Sequence, residues 1–214
     1  MGAVEPSREC TLCPRLSEFR SANRQSYPSF HNAPVKSFGA LESRLLIVGL
    51  APGLKGANQT GRPFTGDYAG DLLYETLGKF GFAEGTYGRR ADDGLQLRDC
   101  RITNAVRCVP PENKPIGSEG KNCRQFLIAE IEQMSRLKVI LCLGGLSHNA
   151  VASALSVRRA VVPFGHGRLH PVGALTIADS YHCSRYNTNT GRLTAEMFED
   201  VFRQVREILS ALPD

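Results

Sequence analysis

The residues here that can do chemistry are a histidine, an asparagine, one aspartate and a set of cysteines. His182 opens the polar, basic stretch His182-Cys183-Ser184-Arg185-Tyr186-Asn187 behind the apolar run Ala174 to Ser180. Asn104 ends a second apolar run, Cys100-Arg101-Ile102-Thr103. Between residues 49 and 70 six glycines are spread through GLAPGLKGANQTGRPFTGDYAG, which also holds Phe64 and Asp67. An amide, an imidazole and an aromatic ring brought together can read the edge and the face of one heterocyclic base. Taken alone, Asn104 reads as a turn cap and His182 as a hydrogen-bonded structural histidine. Their places beyond strand ends, beside a glycine-rich loop, point instead to a site. His31 and His148 have no such context, whereas His166 and His170 flank Gly167-Arg168 and suggest a phosphate neighbourhood.

Seven cysteines, an odd number, speak against a disulfide framework and for a metal site. Cys10 and Cys13 form a C-x2-C pair, and Cys108 and Cys123 follow far downstream with fourteen residues between them. Zinc sites made of four cysteines usually use two close pairs. The wide second pair is more comfortable around a bulkier 4Fe-4S cluster, and on spacing alone iron-sulfur, zinc and no metal all remain open. Cys100 and Cys142 lie in apolar runs and read as small core residues.

These groups need a frame. Leu45 to Val48, Cys100 to Val106, Val139 to Leu143 and Ala174 to Ser180 are apolar runs suited to strands covered on both faces. Leu72, Leu73, Leu77 and Phe80 fall at helical spacing before Gly81. Phe126, Leu127, Ile131 and Met134 mark a second helix. Met197 to Leu209 mark a terminal one behind the N-cap candidate Thr194. Residues 21–43 and 84–98 read as surface loops. Strands alternating with helices predict an α/β fold with a mainly parallel sheet, where ligands bind beyond the carboxyl ends of the strands. No repeat or domain-separating linker is visible, so residues 1–214 are expected to form one domain with an N-terminal cluster-binding segment.

A charged fraction of 22% and a hydrophobic fraction of 42% are ordinary for a globular protein, and no apolar run approaches the roughly 20 residues of a membrane span. No secretory signal is apparent, which leads us to expect a cytoplasmic protein. The formal charge of +5 favours a polyanionic partner. GLAPGLKG lacks the Gly-Lys-Ser/Thr of a phosphate-binding P-loop, and no G-x-G-x-x-G opens a helix, which argues against nucleotide handling.

GLAPG with GxNxTGRPFTGD, TNAVRCVPPENKP, and HxSxxNTxTGRLT resemble the three motifs of the uracil-DNA glycosylase superfamily, specifically its iron-sulfur family 5. The resemblance runs from Cys10 to the terminal helix. It implies a three-layer αβα sandwich with a short central sheet, acting in base-excision repair on DNA carrying uracil or other deaminated bases. Cys10, Cys13, Cys108 and Cys123 match the family's 4Fe-4S ligands. By position, Phe64 would stack on the extruded base, Asn104 would bond the edge that distinguishes uracil, and His182 would donate to O2 of the departing base. Asp67 would stabilise the oxocarbenium-like sugar or orient the attacking water. Ala51, standing where many relatives carry an acidic or amide residue, forms with Pro52 and Gly53 a base-binding wall without bulk, which suggests that hypoxanthine is also accepted.

The segment Ser184, Arg185, Tyr186, Asn187 and Arg192 is expected to meet DNA as a loop, with Tyr186 or Leu193 as the apolar wedge. The family's His-Pro-Ser is His182-Cys183-Ser184 here, which removes a proline beside the histidine. We read Cys183 as a tolerated replacement rather than a reactive thiol. The rival function is a non-catalytic iron-sulfur DNA-binding protein, which would need neither Asp67 nor His182. A monomer is expected.

Overall fold

Leu45 to Val48 are all completely buried, because this strand has neighbours on both edges and helices over both faces. The computed structural model describes residues 4–211. From the amino end, the elements are α1 (Pro14–Ser26), β1 (Leu45–Gly49), the short α2 (Ala57–Thr60), α3 (Tyr68–Lys79), β2 (Ala83–Glu84) and β3 (Gln96–Leu97). They continue with β4 (Cys100–Asn104), a single 3-10 turn at Pro111–Asn113, α4 (Gly117–Gln133), β5 (Val139–Leu143) and α5 (Gly145–Ala154). The last are β6 (Leu169–Val172), β7 (Leu175–Ser180), the short α6 (Arg185–Asn189) and α7 (Ala195–Ala211).

The central sheet has the order β4-β1-β5-β7-β6, with the first four strands parallel and β6 antiparallel at the edge. One face packs against α3 and α7 through Leu73, Leu77, Phe198, Val201, Phe202 and Val205. The other packs against α4 and α5 through Leu127, Val151 and their neighbours. The result is the expected three-layer α/β arrangement with a mainly parallel sheet.

The predicted helices form for the reasons the spacing gave. In α7 the buried residues Phe198, Val201, Phe202, Val205 and Leu209 recur along one stripe, and the Thr194 hydroxyl accepts from the Met197 N–H. At the end of α3, Gly81 takes a φ of +66°.

Two expectations need correction. Residues 21–26 are not loop but the end of α1, whose inward face is Leu16, Arg20 and Asn23; two polar residues face the interior, so hydrophobic spacing gave no signal. Within 84–98, β2 and β3 pair as a two-residue antiparallel ladder. β6 was also invisible: Pro171 interrupts it, which only an edge strand tolerates.

Candidate active site

The strand register starts the site. Gly49, the last residue of β1, pairs with Asn104, the last of β4. A β-carbon on Gly49 would lie 2.4 Å from Asn104 Oδ1 and 2.5 Å from the Phe64 ring, so glycine is what lets the amide and the ring meet. Across from them, the His182 ring lies 6.0 Å from that of Phe64, centroid to centroid, with the planes 30° apart. His182 follows β7 by two residues. Asn187 Nδ2 donates to its carbonyl at 2.8 Å. Burial pushes the His182 pKa below its ordinary value, which leaves the ring neutral at pH 7 and able to donate one hydrogen bond.

Asp67 caps α3 and accepts from the Gly70 N–H at 3.3 Å. β-carbons placed on Gly56 and Gly53 would lie 2.3 and 3.3 Å from Asp67 Oδ2, so the glycine loop folds directly over the carboxylate. Burial pushes its pKa up, opposed by the backbone N–H groups of Gly70 and Ala69. Ionising a carboxylate held this way costs free energy, which a cationic neighbour offsets.

These side chains line one cleft of about 1020 Å³. Ala51, Pro52, Gly53, Phe64, Asp67, Asn104, His182, Ser184 and Arg185 all face it. Tyr186, Asn187 and Arg192 are not among its lining residues. Tyr186 is 72% exposed, and the Arg192 guanidinium lies 4.6 Å from the centre of the Tyr181 ring. Sequence reading missed Lys55, Tyr68, Asp71, Arg89 and Asn113, which also line the cleft. Tyr68 and Asp71 directly follow Asp67 on α3, a signal that was available. Arg89 and Asn113 arrive on loops that fold back, and nothing in their spacing announced it.

Three further expectations change, and the reading of Cys183 as an unreactive replacement stands. Residues 185–189 are a helix, because the Ser184 hydroxyl caps it by accepting from the Asn187 N–H. Leu193 is fully buried in the core and cannot act as a wedge. His166 and His170 face inward rather than toward a ligand. His166 Nδ1 accepts from the Tyr181 N–H at 3.1 Å and its ring stacks on Tyr181, while His170 lies 3.4 Å from Asp179. Cys183 is fully buried, its thiol pushed up to about 12 by burial, and donates to the Ala69 carbonyl at 3.4 Å. It thus ties the His182 turn to the first turn of α3 beside Asp67.

Cys10, Cys13, Cys108 and Cys123 line one small apolar gap together with Leu16, Val106 and Phe126. Among the described residues no three of these sulfurs lie within 4.8 Å of one another. Tetrahedral zinc would bring all four to about 3.8 Å apart, given a Zn–S bond near 2.3 Å. The Arg107 N–H donates to Cys123 Sγ (3.4 Å), Arg20 Nη1 to Cys108 Sγ (3.7 Å) and Asn122 Nδ2 to Cys13 Sγ (3.8 Å), donors of the kind that stabilise cluster thiolates. Burial pushes the Cys108 and Cys123 thiols up to about 12 and about 11, so without a bound cation they stay protonated.

Cys142, His148 and Asp179 form a second, fully buried group within 4.8 Å. His148 and Asp179 are already engaged: His148 Nδ1 is 2.7 Å from Asp179 Oδ1, Nε2 is 2.7 Å from the Val162 carbonyl, and the Gly165 N–H donates to Asp179 Oδ2 at 3.2 Å. Burial opposes a charge on His148, but the Asp179 carboxylate outweighs it and raises the pKa. This is a structural His-Asp pair pinning residues 162–165 to β7.

The family model described as the Uracil DNA glycosylase superfamily matches residues 36–206. The chain is 38% identical over 211 residues to a type-5 uracil-DNA glycosylase of Thermus thermophilus, covering 96% of each. It is 38% identical over 208 residues to the type-5 enzyme of Mycobacterium tuberculosis, covering 93% of this chain and 78% of that one. A type-4 uracil-DNA glycosylase of Thermotoga maritima is 34% identical over 141 residues, or 65% of this chain and 59% of the relative.

Proposed function

This chain belongs to the uracil-DNA glycosylase superfamily, and on that premise we propose that it excises uracil from DNA by hydrolysing the N-glycosidic bond, with the Gly49-centred cleft as its catalytic pocket. The observation that carries the assignment is the convergence of the Asn104 amide and the Phe64 ring over Gly49, opposite a neutral His182. A flipped pyrimidine has one face to stack and one amide-like edge to read, and these groups supply both. Phe64 stacks, and the Asn104 amide bonds the edge that separates uracil from cytosine.

As the bond to the sugar breaks, negative charge gathers on the base and positive charge on the ring. A neutral imidazole at O2 donates to charge that exists only in the transition state, so it lowers the barrier without tightening ground-state binding. Asp67 serves the sugar side: its desolvated carboxylate stabilises the oxocarbenium-like carbon and orients the water that attacks it. Water supplies hydroxide to the sugar carbon, and the displaced proton ends on the base.

The pocket wall of Ala51, Pro52 and Gly53 has room for larger lesions, which supports hypoxanthine as a second substrate. Ser184, Arg185 and Arg192 face the duplex from α6 and its flanks, with Tyr186 as the wedge that fills the vacated stack. Cys10, Cys13, Cys108 and Cys123 would hold a 4Fe-4S cluster, which when bound would tie the N-terminal segment to α4.

The test is abasic-site formation on duplexes carrying one uracil, hypoxanthine or thymine. We expect alkali-labile sites at uracil and hypoxanthine and none at thymine. Duplex binding with no abasic site on any substrate would overturn the enzyme assignment.

A further inference from the structure

Phe64 has a φ of +51°, a left-handed conformation that a residue with a side chain keeps only when its surroundings enforce it. The Tyr87 hydroxyl donates to the Phe64 carbonyl at 3.1 Å and accepts from the Gly66 N–H at 3.3 Å, bracketing the turn. The Tyr74 hydroxyl holds the preceding carbonyl, that of Pro63, at 2.7 Å. On the far side α3 presses close: a β-carbon on Gly70 would lie 1.8 Å from the Phe64 carbonyl oxygen and 2.5 Å from the Tyr87 hydroxyl.

Tyr87 comes from residues 85–95, the turn joining β2 to β3, which would otherwise be an ordinary surface excursion. Its ring stacks on Tyr74 with centroids 4.5 Å apart. Arg62, two residues before Phe64, reaches under this pair: its guanidinium is 5.3 Å from the Tyr74 ring and 5.8 Å from that of Tyr87. The same guanidinium grips Asp93 with two bonds of 2.7 Å, and both side chains are only 5% exposed. Asp93 in turn accepts from the Gly88 and Leu95 N–H groups, closing the turn on itself. A bidentate, buried pair of this kind fixes geometry and direction.

We infer that Tyr87, locked in place by the Arg62–Asp93 pair, is a positioning residue that sets the stacking ring of Phe64. The inference rests on the reading of Phe64 as the base-stacking residue. It gives the 85–95 turn a part in substrate recognition although only Arg89 of it reaches the cleft.

The experiment is a double-mutant cycle. Tyr87→Phe keeps the ring against Tyr74 and removes only the hydroxyl; Asp93→Asn weakens the grip on Arg62 and serves as the second variant. Each is made with Phe64 and with Phe64→Leu. Affinity is measured for a duplex with 2′-fluoro-2′-deoxyuridine, which resists hydrolysis, and for the undamaged duplex, beside single-turnover uracil release. With Phe64 present, both variants should lower the preference for the lesion and the rate by about tenfold, as loss of one buried hydrogen bond implies. With Phe64→Leu the same changes should cost less than about twofold, because their effect passes through the ring. Equal losses in both backgrounds, or no loss in either, would overturn the inference. If wild type itself shows no preference for the lesion duplex, the functional reading fails separately. The positioning claim is then decided by the NMR signal of a ring-labelled Phe64, identified by its disappearance in Phe64→Leu. Tyr87→Phe should move that signal and leave those of Phe198 and Phe202 in place, and an unmoved Phe64 signal would overturn it.

Discussion

Asp67 carries the sharpest conflict between stability and function. Its burial raises the carboxyl pKa, so stability held when Asp67 is protonated is lost as pH rises from about 3.8 through the folded value. Asp67→Asn should therefore raise the melting temperature at pH 7 but not at pH 3, while cutting uracil release by about 100-fold or more. Asparagine caps α3 as well as aspartate does, so the cap does not confound the comparison. Calorimetry at both pH values decides it; a destabilised Asn variant at pH 7 would count against a strained carboxylate. Gly49→Ala is a second test, because its methyl would meet both the Asn104 amide and the Phe64 ring. We expect it to lose about 100-fold in single-turnover rate with duplex affinity nearly intact, as a displacement on the order of 1 Å in a reacting geometry implies. At this scale the sequence was informative: Phe64, Asn104 and His182 stood out by residue type and place, and Asp67 through the family resemblance. Arg89, Asn113 and the support of Phe64 by Tyr87 did not, since they depend on how two irregular loops fold back.

The elements explain how distant cysteines meet. Arg107 sits beside Cys108 and is 1% exposed, and its guanidinium reaches Glu130 of α4 at 2.6 Å and Glu5 of the N-terminal segment at 3.0 Å. Arg101 of β4 binds the other oxygen of Glu130 at 2.6 Å. One buried carboxylate therefore fixes β4, the loop carrying Cys108 and the helix carrying Cys123 relative to one another. Glu130→Gln leaves two buried guanidinium groups with the half-buried Glu5 as their remaining counter-charge and should cost about 3 kcal/mol in unfolding free energy. It should also lower the visible absorbance of the proposed cluster in purified protein. Denaturant melts and iron content measured together check this, and a fully loaded variant of unchanged stability would refute it. Strands β1, β4, β5 and β7 and helices α3, α4 and α7 were legible because each buries a regular apolar pattern. Helix α1 was partly lost to view because Arg20 and Asn23 face inward, and β6 because Pro171 breaks a short edge strand.

For the whole molecule, the formal charge of +5 has a local expression in Lys55 and Arg185 at the cleft, where Arg89 is paired with Asp71. Arg185→Ala should weaken duplex binding irrespective of the base present and reduce the slope of log affinity against log salt by about 1, as loss of one phosphate contact does. Titrations at several salt concentrations would show it, and an unchanged slope would remove Arg185 from the DNA surface. Global stability should also carry the mark of His148. Its raised pKa means that the stability it contributes is complete below about pH 6.5 and is lost as pH rises through the folded value. His148→Gln should flatten that part of the stability–pH curve, read from melts between pH 5 and 9. The account as a whole stands on His182 and Asp67 acting in the bond-breaking step rather than in holding DNA. Its most direct test is single-turnover uracil release by wild type, His182→Ala and Asp67→Asn, beside their affinities for an uncleavable uracil duplex. The account predicts rates lower by about 100-fold or more with affinities within about threefold of wild type. Affinities that collapse together with the rates, or rates that survive either change, would contradict it.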